Sequence, residues 1–324
     1  MTSNNDEHFL ERPHGRTVAY AHAGNLVSSE VVLFFHGVFG VGDASRLPPI
    51  LEEKDVHYIA PTLPGWGKSS PPPHSQPFHQ CLYEDVAALV THLHPQSERL
   101  RLYIAGGSYG TVAAQMLYGA SYDHFPLGQR IVGLLLLAPF SPPRIHKGFA
   151  QCLSWQNYVA LGPPSRVIPF NLTQRMGILL FRSKVDSPQH AAEFIHQFGF
   201  QKLDPSERQA YEKWKETRGL EEGEAEKGIG QSVHHSVATT WEGFLKVPSV
   251  VNSDWGGYDP RSIHSDRKVP VLVVMNNGDR DHKLMGEWLV RNMKDCTARY
   301  DAGGHMASMF FMDEIWAEFM SLIP

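Results

Sequence analysis

Three cysteines in 324 residues, Cys81, Cys152 and Cys296, are too few and too scattered to form a disulfide framework. No CxxC pair is present, so a redox dithiol or a zinc-binding cysteine set is excluded, and a reducing, cytoplasmic setting is expected. Positive charge is also short: Lys plus Arg number 29 against 34 Asp plus Glu, a net charge of −5. Nucleic-acid binding needs a basic surface to release counterions, and this balance argues against it. Apolar runs are brief. Even Ile131–Ala138 (IVGLLLLA) is far shorter than a membrane span requires, so no spanning segment is expected. The opening MTSNNDEHFLERPHG has neither the basic start nor the apolar stretch of a secretory signal.

Ligand motifs are missing in the same way. Gly67-Lys68-Ser69 ends like a phosphate-binding loop, but Thr62 stands where the first glycine belongs. No G-x-G-x-x-G opens a strand–helix unit, so no dinucleotide cofactor is expected. His92-Leu93-His94 and His234-His235 lack the spacing of a zinc site, and no metal is expected. His92 and His94 read as surface histidines.

Buried strands and amphipathic helices are plentiful. Thr17–Ala23 alternates like a strand. Val31–Phe35, His57–Ala60, Leu100–Ala105, Ile131–Ala138 and Val269–Met275 are short continuous apolar runs, as strands covered on both faces must be. Thr297–Asp301 is a weaker run. Phe78, Leu82, Val86, Leu89 and Leu93 fall at helical spacing, and Phe311, Ile315, Trp316 and Phe319 mark a last helix. Strands alternating with helices predict a mainly parallel α/β sheet covered on both sides. The alternation stops between Pro139 and Lys268, where Pro-rich turns, aromatics and a charged EEGEAEK segment predict a mostly helical insertion. The division is therefore a core of residues 1–139 and 269–324 with a helical insertion, 140–268. EEGEAEK reads as a solvated loop or helix end, and Trp155, Trp214, Trp241 and Trp255 read as the insertion's own core.

The chemistry centres on Gly106-Gly107-Ser108-Tyr109-Gly110, between strand LRLYI and the helical TVAAQMLY. This is a G-x-S-x-G pattern in its strand–turn–helix context. The glycines let neighbouring backbone pass a strained turn that presents the serine. Serine is a weak nucleophile and needs a base, which in turn needs an orienting acid. Downstream, in the order acid then histidine, come Gly278-Asp279-Arg280-Asp281, directly after a buried strand, and Asp301-Ala302-Gly303-Gly304-His305, before the last helix. His305 is the candidate base. Asp281, at the fourth position of G-x-x-D, is the favoured acid, with Asp279 the alternative. The backbone N–H groups of Tyr109 and Val38, or Phe39 in place of Val38, are the candidate oxyanion donors. His36 reads as a structural hydrogen-bonder.

HGVFG, LPGWGKSS, GGSYG, GDRD and GGH, in this order, resemble the α/β-hydrolase superfamily with a cap, in its epoxide-hydrolase, esterase and prolyl-iminopeptidase-like branches. The matching segments are Val31–Pro139 and Val269–Pro324. The resemblance implies an eight-stranded sheet, a helical cap after the sixth strand and a triad of Ser108, Asp281 and His305. Two departures narrow it. Epoxide hydrolases and haloalkane dehalogenases carry an aspartate nucleophile where this chain has Ser108. Prolyl iminopeptidases show Gly-Gly-Pro-Gly where this chain has Gly37-Val38-Phe39-Gly40. The expectation is a serine hydrolase acting on an apolar small-molecule ester, lactone or thioester, without cofactor. Aminopeptidase or carbon–carbon cleavage on the same triad, or a non-hydrolytic lyase or receptor scaffold, are the alternatives.

Overall fold

The computed structural model describes residues 7–263 and 268–324. The first six residues of the polar N-terminus and residues 264–267, at the end of the expected insertion, lie outside the described residues.

Eight strands form one sheet in the order β1-β2-β4-β3-β5-β6-β7-β8. They are β1 (His8–Arg12), β2 (Arg16–Gly24), β3 (Glu30–Phe35), β4 (His57–Pro61), β5 (Arg101–Gly107), β6 (Ile131–Leu137), β7 (Val271–Asn276) and β8 (Cys296–Asp301). β1 pairs antiparallel with β2, and β2 with β4; the pairings from β4 through β3, β5, β6 and β7 to β8 are parallel. β1 is the strand that the sequence reading omits. Its alternating HFLER is half exposed at the sheet edge and lacks the continuous apolar run that betrays the central strands.

Along the central strands successive side chains enter two different cores, because strand side chains alternate between faces. Leu33, Ile104, Leu136 and Val273 point to one face, where α2 (Phe78–Leu93) and α3 (Gly110–Gly119) pack with Leu82, Val86 and Val112. Val32, Tyr103, Leu135 and Leu272 point to the other, under Leu51 of α1 (Pro49–Glu53) and the last helix. Each such buried side chain contributes roughly 1.5–3 kcal/mol.

Between β6 and β7 the described chain is helical. It forms α4 (Phe149–Cys152), α5 (Trp155–Leu161), α6 (Pro164–Val167), α7 (Leu172–Phe181), α8 (Pro188–Phe198), α9 (Pro205–Thr217), α10 (Glu224–Ala238) and α11 (Glu242–Val251). The insertion thus follows the sixth strand. α12 (Arg280–Asn292) and α13 (Met312–Ser321) complete the core; Ile315, Trp316 and Phe319 of α13 are the residues under the second face. No described helix is long and apolar enough to cross a membrane.

EEGEAEK straddles the start of α10 and is mostly solvated, as expected, with Glu226 the exception among its acids, buried beside His196 and Tyr211. One local expectation changes. His94 is not on the surface. It is buried at the end of α2 and joins a chain of imidazoles, with His57 Nδ1 2.7 Å from His94 Nε2 and His57 Nε2 3.0 Å from His22 Nδ1.

Candidate active site

The loops at the carboxyl ends of β3, β5, β7 and β8 meet at one end of the sheet, where parallel strands collect chemistry. β5 delivers Ser108 on a turn with φ +51°, in the left-handed region that costs a non-glycine residue roughly 1–3 kcal/mol. The surroundings hold it there. The Ser108 N–H donates to the Leu137 carbonyl at 2.8 Å, and the Ser108 carbonyl accepts from both the N–H (3.0 Å) and the hydroxyl (2.6 Å) of Thr111. The flanking glycines are required by close approach. A Cβ on Gly106 would lie 2.4 Å from the Gly110 carbonyl oxygen, and one on Gly110 would lie 2.0 Å from that of Phe35.

The loop after β3 crosses above this turn. A Cβ on Gly37 would stand 3.3 Å from Ser108 Cβ. The Gly40 N–H closes a turn onto the Gly37 carbonyl at 3.2 Å, so closure uses the Gly40 amide and not that of Val38. Phe39, not a glycine, carries the positive φ of this turn, at +60°. Its ring stacks on Phe244 and meets Phe181 and Trp241 edge-on, so the insertion covers the loop with aromatics. His36 is buried, accepts the Leu63 N–H through Nε2 at 2.9 Å and bonds the Gly37 carbonyl through Nδ1 at 2.8 Å. Burial pushes its pKa down to about 4, so it is a neutral strut. Tyr109 precedes α3 with its ring buried, which sets its amide at the helix start beside Ser108.

β8 delivers His305 through Gly303, whose φ is +95°. His305 Nε2 lies 2.9 Å from Ser108 Oγ, and His305 Nδ1 lies 2.6 Å from Asp279 Oδ2. Asp279 ends the loop after β7 and caps α12. Asp281, favoured in the sequence reading, does not face His305. It sits inside the first turn of α12, so the helix rotates its side chain away. Its Oδ2 accepts the Ser154 N–H at 2.7 Å and the Asn157 amide at 2.8 Å, both from the insertion. The G-x-x-D spacing presumes a loop running through Asp281, but the helix begins one residue earlier, at Arg280.

His282, which no motif singles out, also faces Asp279. Its Nδ1 lies 2.9 Å from Asp279 Oδ2, and its ring lies 4.4 Å from that of His305 and edge-on to Phe140. Asp279 therefore accepts from two imidazoles. Burial alone would raise its carboxyl, but the hydrogen bonds and charge of His282 and His305 outweigh burial and hold it well below the usual carboxylate range. Burial, with the charge of His305, lowers the pKa of His282. The only sequence signal for His282 is its place three residues after Asp279, at the helix start. Asp279, His282 and His305 bring possible ligand atoms within 4.8 Å of one another, and the same groups are engaged in these Asp–His hydrogen bonds. The four tryptophans of the insertion divide: Trp214 and Trp255 are buried, Trp241 meets Phe39, and Trp155 is exposed.

The sequence profile of the alpha/beta hydrolase family matches residues 32–319. The chain belongs to the alpha/beta hydrolase family. No curated protein sequence matches it significantly. Solved structures of similar fold include a probable hydrolytic enzyme from Pseudomonas aeruginosa PAO1 (17% identity, TM-score 0.59, covering 98% of this chain and 94% of that one). Others are an esterase from Exiguobacterium antarcticum (15%, TM-score 0.56, 97% of each chain) and an alpha/beta hydrolase fold protein from Chitinophaga pinensis (14%, TM-score 0.58, 98% and 96%). At these identities the likeness is one of fold. In this alpha/beta hydrolase, Ser108, His305 and Asp279 form one hydrogen-bonded line at the carboxyl end of the sheet, and Asp281 ties the core to the insertion.

Proposed function

We propose that this alpha/beta hydrolase is a serine hydrolase that cleaves a carboxylic ester, lactone or thioester through an acyl-enzyme on Ser108. The observation that carries the reading is the unbroken line Ser108 Oγ, His305 Nε2, His305 Nδ1, Asp279 Oδ2, with contacts of 2.9 and 2.6 Å. Ser108 Oγ attacks the substrate carbonyl carbon as its proton passes to His305 Nε2. The carbonyl oxygen becomes an oxyanion, received by the N–H groups of Tyr109 and of Val38 or Phe39. The intermediate collapses, the bond to the leaving group breaks, and the leaving group takes the proton from His305. Water then attacks the acyl-enzyme, gives its proton to His305, and releases the acid as Ser108 recovers its own. Asp279 holds the His305 tautomer and balances the imidazolium.

The insertion, 140–268, acts in this reading as the lid that selects substrate. Phe181, Trp241 and Phe244, gathered on Phe39, favour an apolar acyl or alcohol group. The free thiols Cys81, Cys152 and Cys296 support a cytoplasmic setting. The test is labelling with a fluorophosphonate probe beside turnover of short-chain aryl esters. Native protein should label and turn over, and Ser108→Ala should do neither. Labelling that persists in Ser108→Ala, or a native protein inert to both probe and esters, overturns the proposal.

A further inference from the structure

The chain as a whole is acidic, but no Asp or Glu occurs between Asp123 and Asp186. Within that stretch the insertion turns an apolar surface to solvent. On α7, Leu172, Met176, Leu179 and Leu180 are exposed at spacings of four, three and one, which is one helical face. Val167 and Phe170, just before it, are exposed to 79% and 86%. Phe170 and Asn171 both hold positive φ, +58° and +53°, so a strained turn sets the most exposed phenylalanine at the tip. Arg166, Arg175, Arg182 and Lys184 are exposed around this face, and none has an acidic partner among the described residues.

An apolar face flanked by exposed cations that lack acidic partners among the described residues matches an anionic lipid surface. Apolar side chains there enter the acyl boundary while Arg and Lys meet the phosphates. A second copy of the chain fits poorly, because a two-fold contact of this patch with itself opposes like charges and supplies no carboxylate. The inner side of α7 reaches back to the site. Gly177 packs on Phe244 with a Cβ position 3.4 Å from its ring, and Phe181 meets Phe39, two residues after the glycine that lies against Ser108.

We propose that the chain docks on anionic membranes through the outer face of α7 and the Val167–Phe170 turn, with α7 between the lipid and Ser108. A substrate class follows, resting on the serine-hydrolase reading: an ester with a long apolar chain, taken up from the lipid layer.

The experiment is co-sedimentation of the full-length protein with phosphatidylcholine vesicles, with and without phosphatidylserine, at low and high salt. Bound mass is read directly, so docking is scored whether or not Ser108 is a nucleophile. The native protein should bind phosphatidylserine vesicles at least about tenfold better than pure phosphatidylcholine, and salt should weaken the binding. Phe170→Glu with Leu179→Glu, and separately Arg175→Ala with Arg182→Ala and Lys184→Ala, should each lower binding at least about tenfold and leave turnover of a soluble short-chain ester unchanged. The charge variant alters only exposed polar positions, so it decides the matter if the apolar variant fails to fold. No binding by the native protein, equal binding to both vesicle types, binding indifferent to the charge variant, or a dimer that the variants dissolve without any vesicle binding would each overturn the proposal.

Discussion

The Glu207 carboxylate, on α9 of the insertion, accepts the backbone N–H of Gly304, the residue before His305, at 2.5 Å. The same side chain also accepts the Asp204 N–H in the capping box of α9. The loop carrying His305 is thus fastened to the insertion as well as to the core. Glu207→Ala removes the acceptor and lets the loop drift. Turnover should fall roughly tenfold to a hundredfold, mostly in kcat, because displacement of a reacting group by about 1 Å costs on that order. Glu207→Gln keeps an acceptor oxygen and should recover most of the loss. Steady-state kinetics on both variants, with thermal melts, checks this; equal kcat in Glu207→Ala and the native protein would refute it.

Asp279 and Asp281 should separate cleanly. Asp279→Asn leaves His305 with the wrong tautomer partner, and kcat should drop by about 10⁴ in folded protein. Asp281→Asn should keep most activity but lose roughly 1–3 kcal/mol of stability, because the Ser154 N–H and Asn157 amide lose a buried, charged acceptor. Kinetics together with urea unfolding distinguishes the two; the opposite pattern would return the acid's role to Asp281.

His282→Phe removes one of the two donors on Asp279 without adding charge. The Asp279 carboxylate then loses one of the two hydrogen bonds that hold it low, and its orientation rests on His305 alone. kcat should fall roughly tenfold, with KM changed less. Steady-state kinetics on both proteins, with thermal melts, measures the loss, and an unchanged kcat in folded protein would limit His282 to packing.

Stability should decline on mild acidification. Burial, followed by the charges of His94 and His22, pushes the His57 pKa down to about 3; burial pushes His36 and His146 to about 4. The unfolded chain binds protons near pH 6.5, so between that value and the folded pKa values it holds more protons than the native state. Stability is then fully present above pH 6.5 and is lost as pH falls toward 4, at roughly 1.4 kcal/mol per pH unit for each such histidine. Urea unfolding at pH 7 and pH 5 should show the drop, and His57→Gln should make it shallower.

The parallel core is legible in the sequence because strands buried on both faces leave continuous apolar runs. β1 is not, since a half-exposed edge strand looks like any polar segment. Ser108 and His305 announce themselves by glycines that the backbone cannot do without. The partner of His305 does not. Asp279 and Asp281 differ only in which side of the first residue of α12 they occupy, and a one-residue shift of a helix start reverses where each carboxylate points. His282 meets the His305 ring across 23 residues of helix and strand, and Glu207 meets Gly304 between the insertion and the core; no spacing rule encodes either contact.

Gly110 lies where any side chain would strike the Phe35 carbonyl, and Gly37 lies against Ser108 in turn. The end of β3 and the start of α3 cannot be parted without rebuilding both. The spacing between the Gly37 loop and Ser108 is therefore inherited from the sheet. Under the proposed function, selection and chemistry would then reside on separable stretches of one chain: the insertion could be remodelled for a different guest, provided that Glu207 and the Ser154–Asn157 anchor stay in place, while Ser108 and His305 keep their positions.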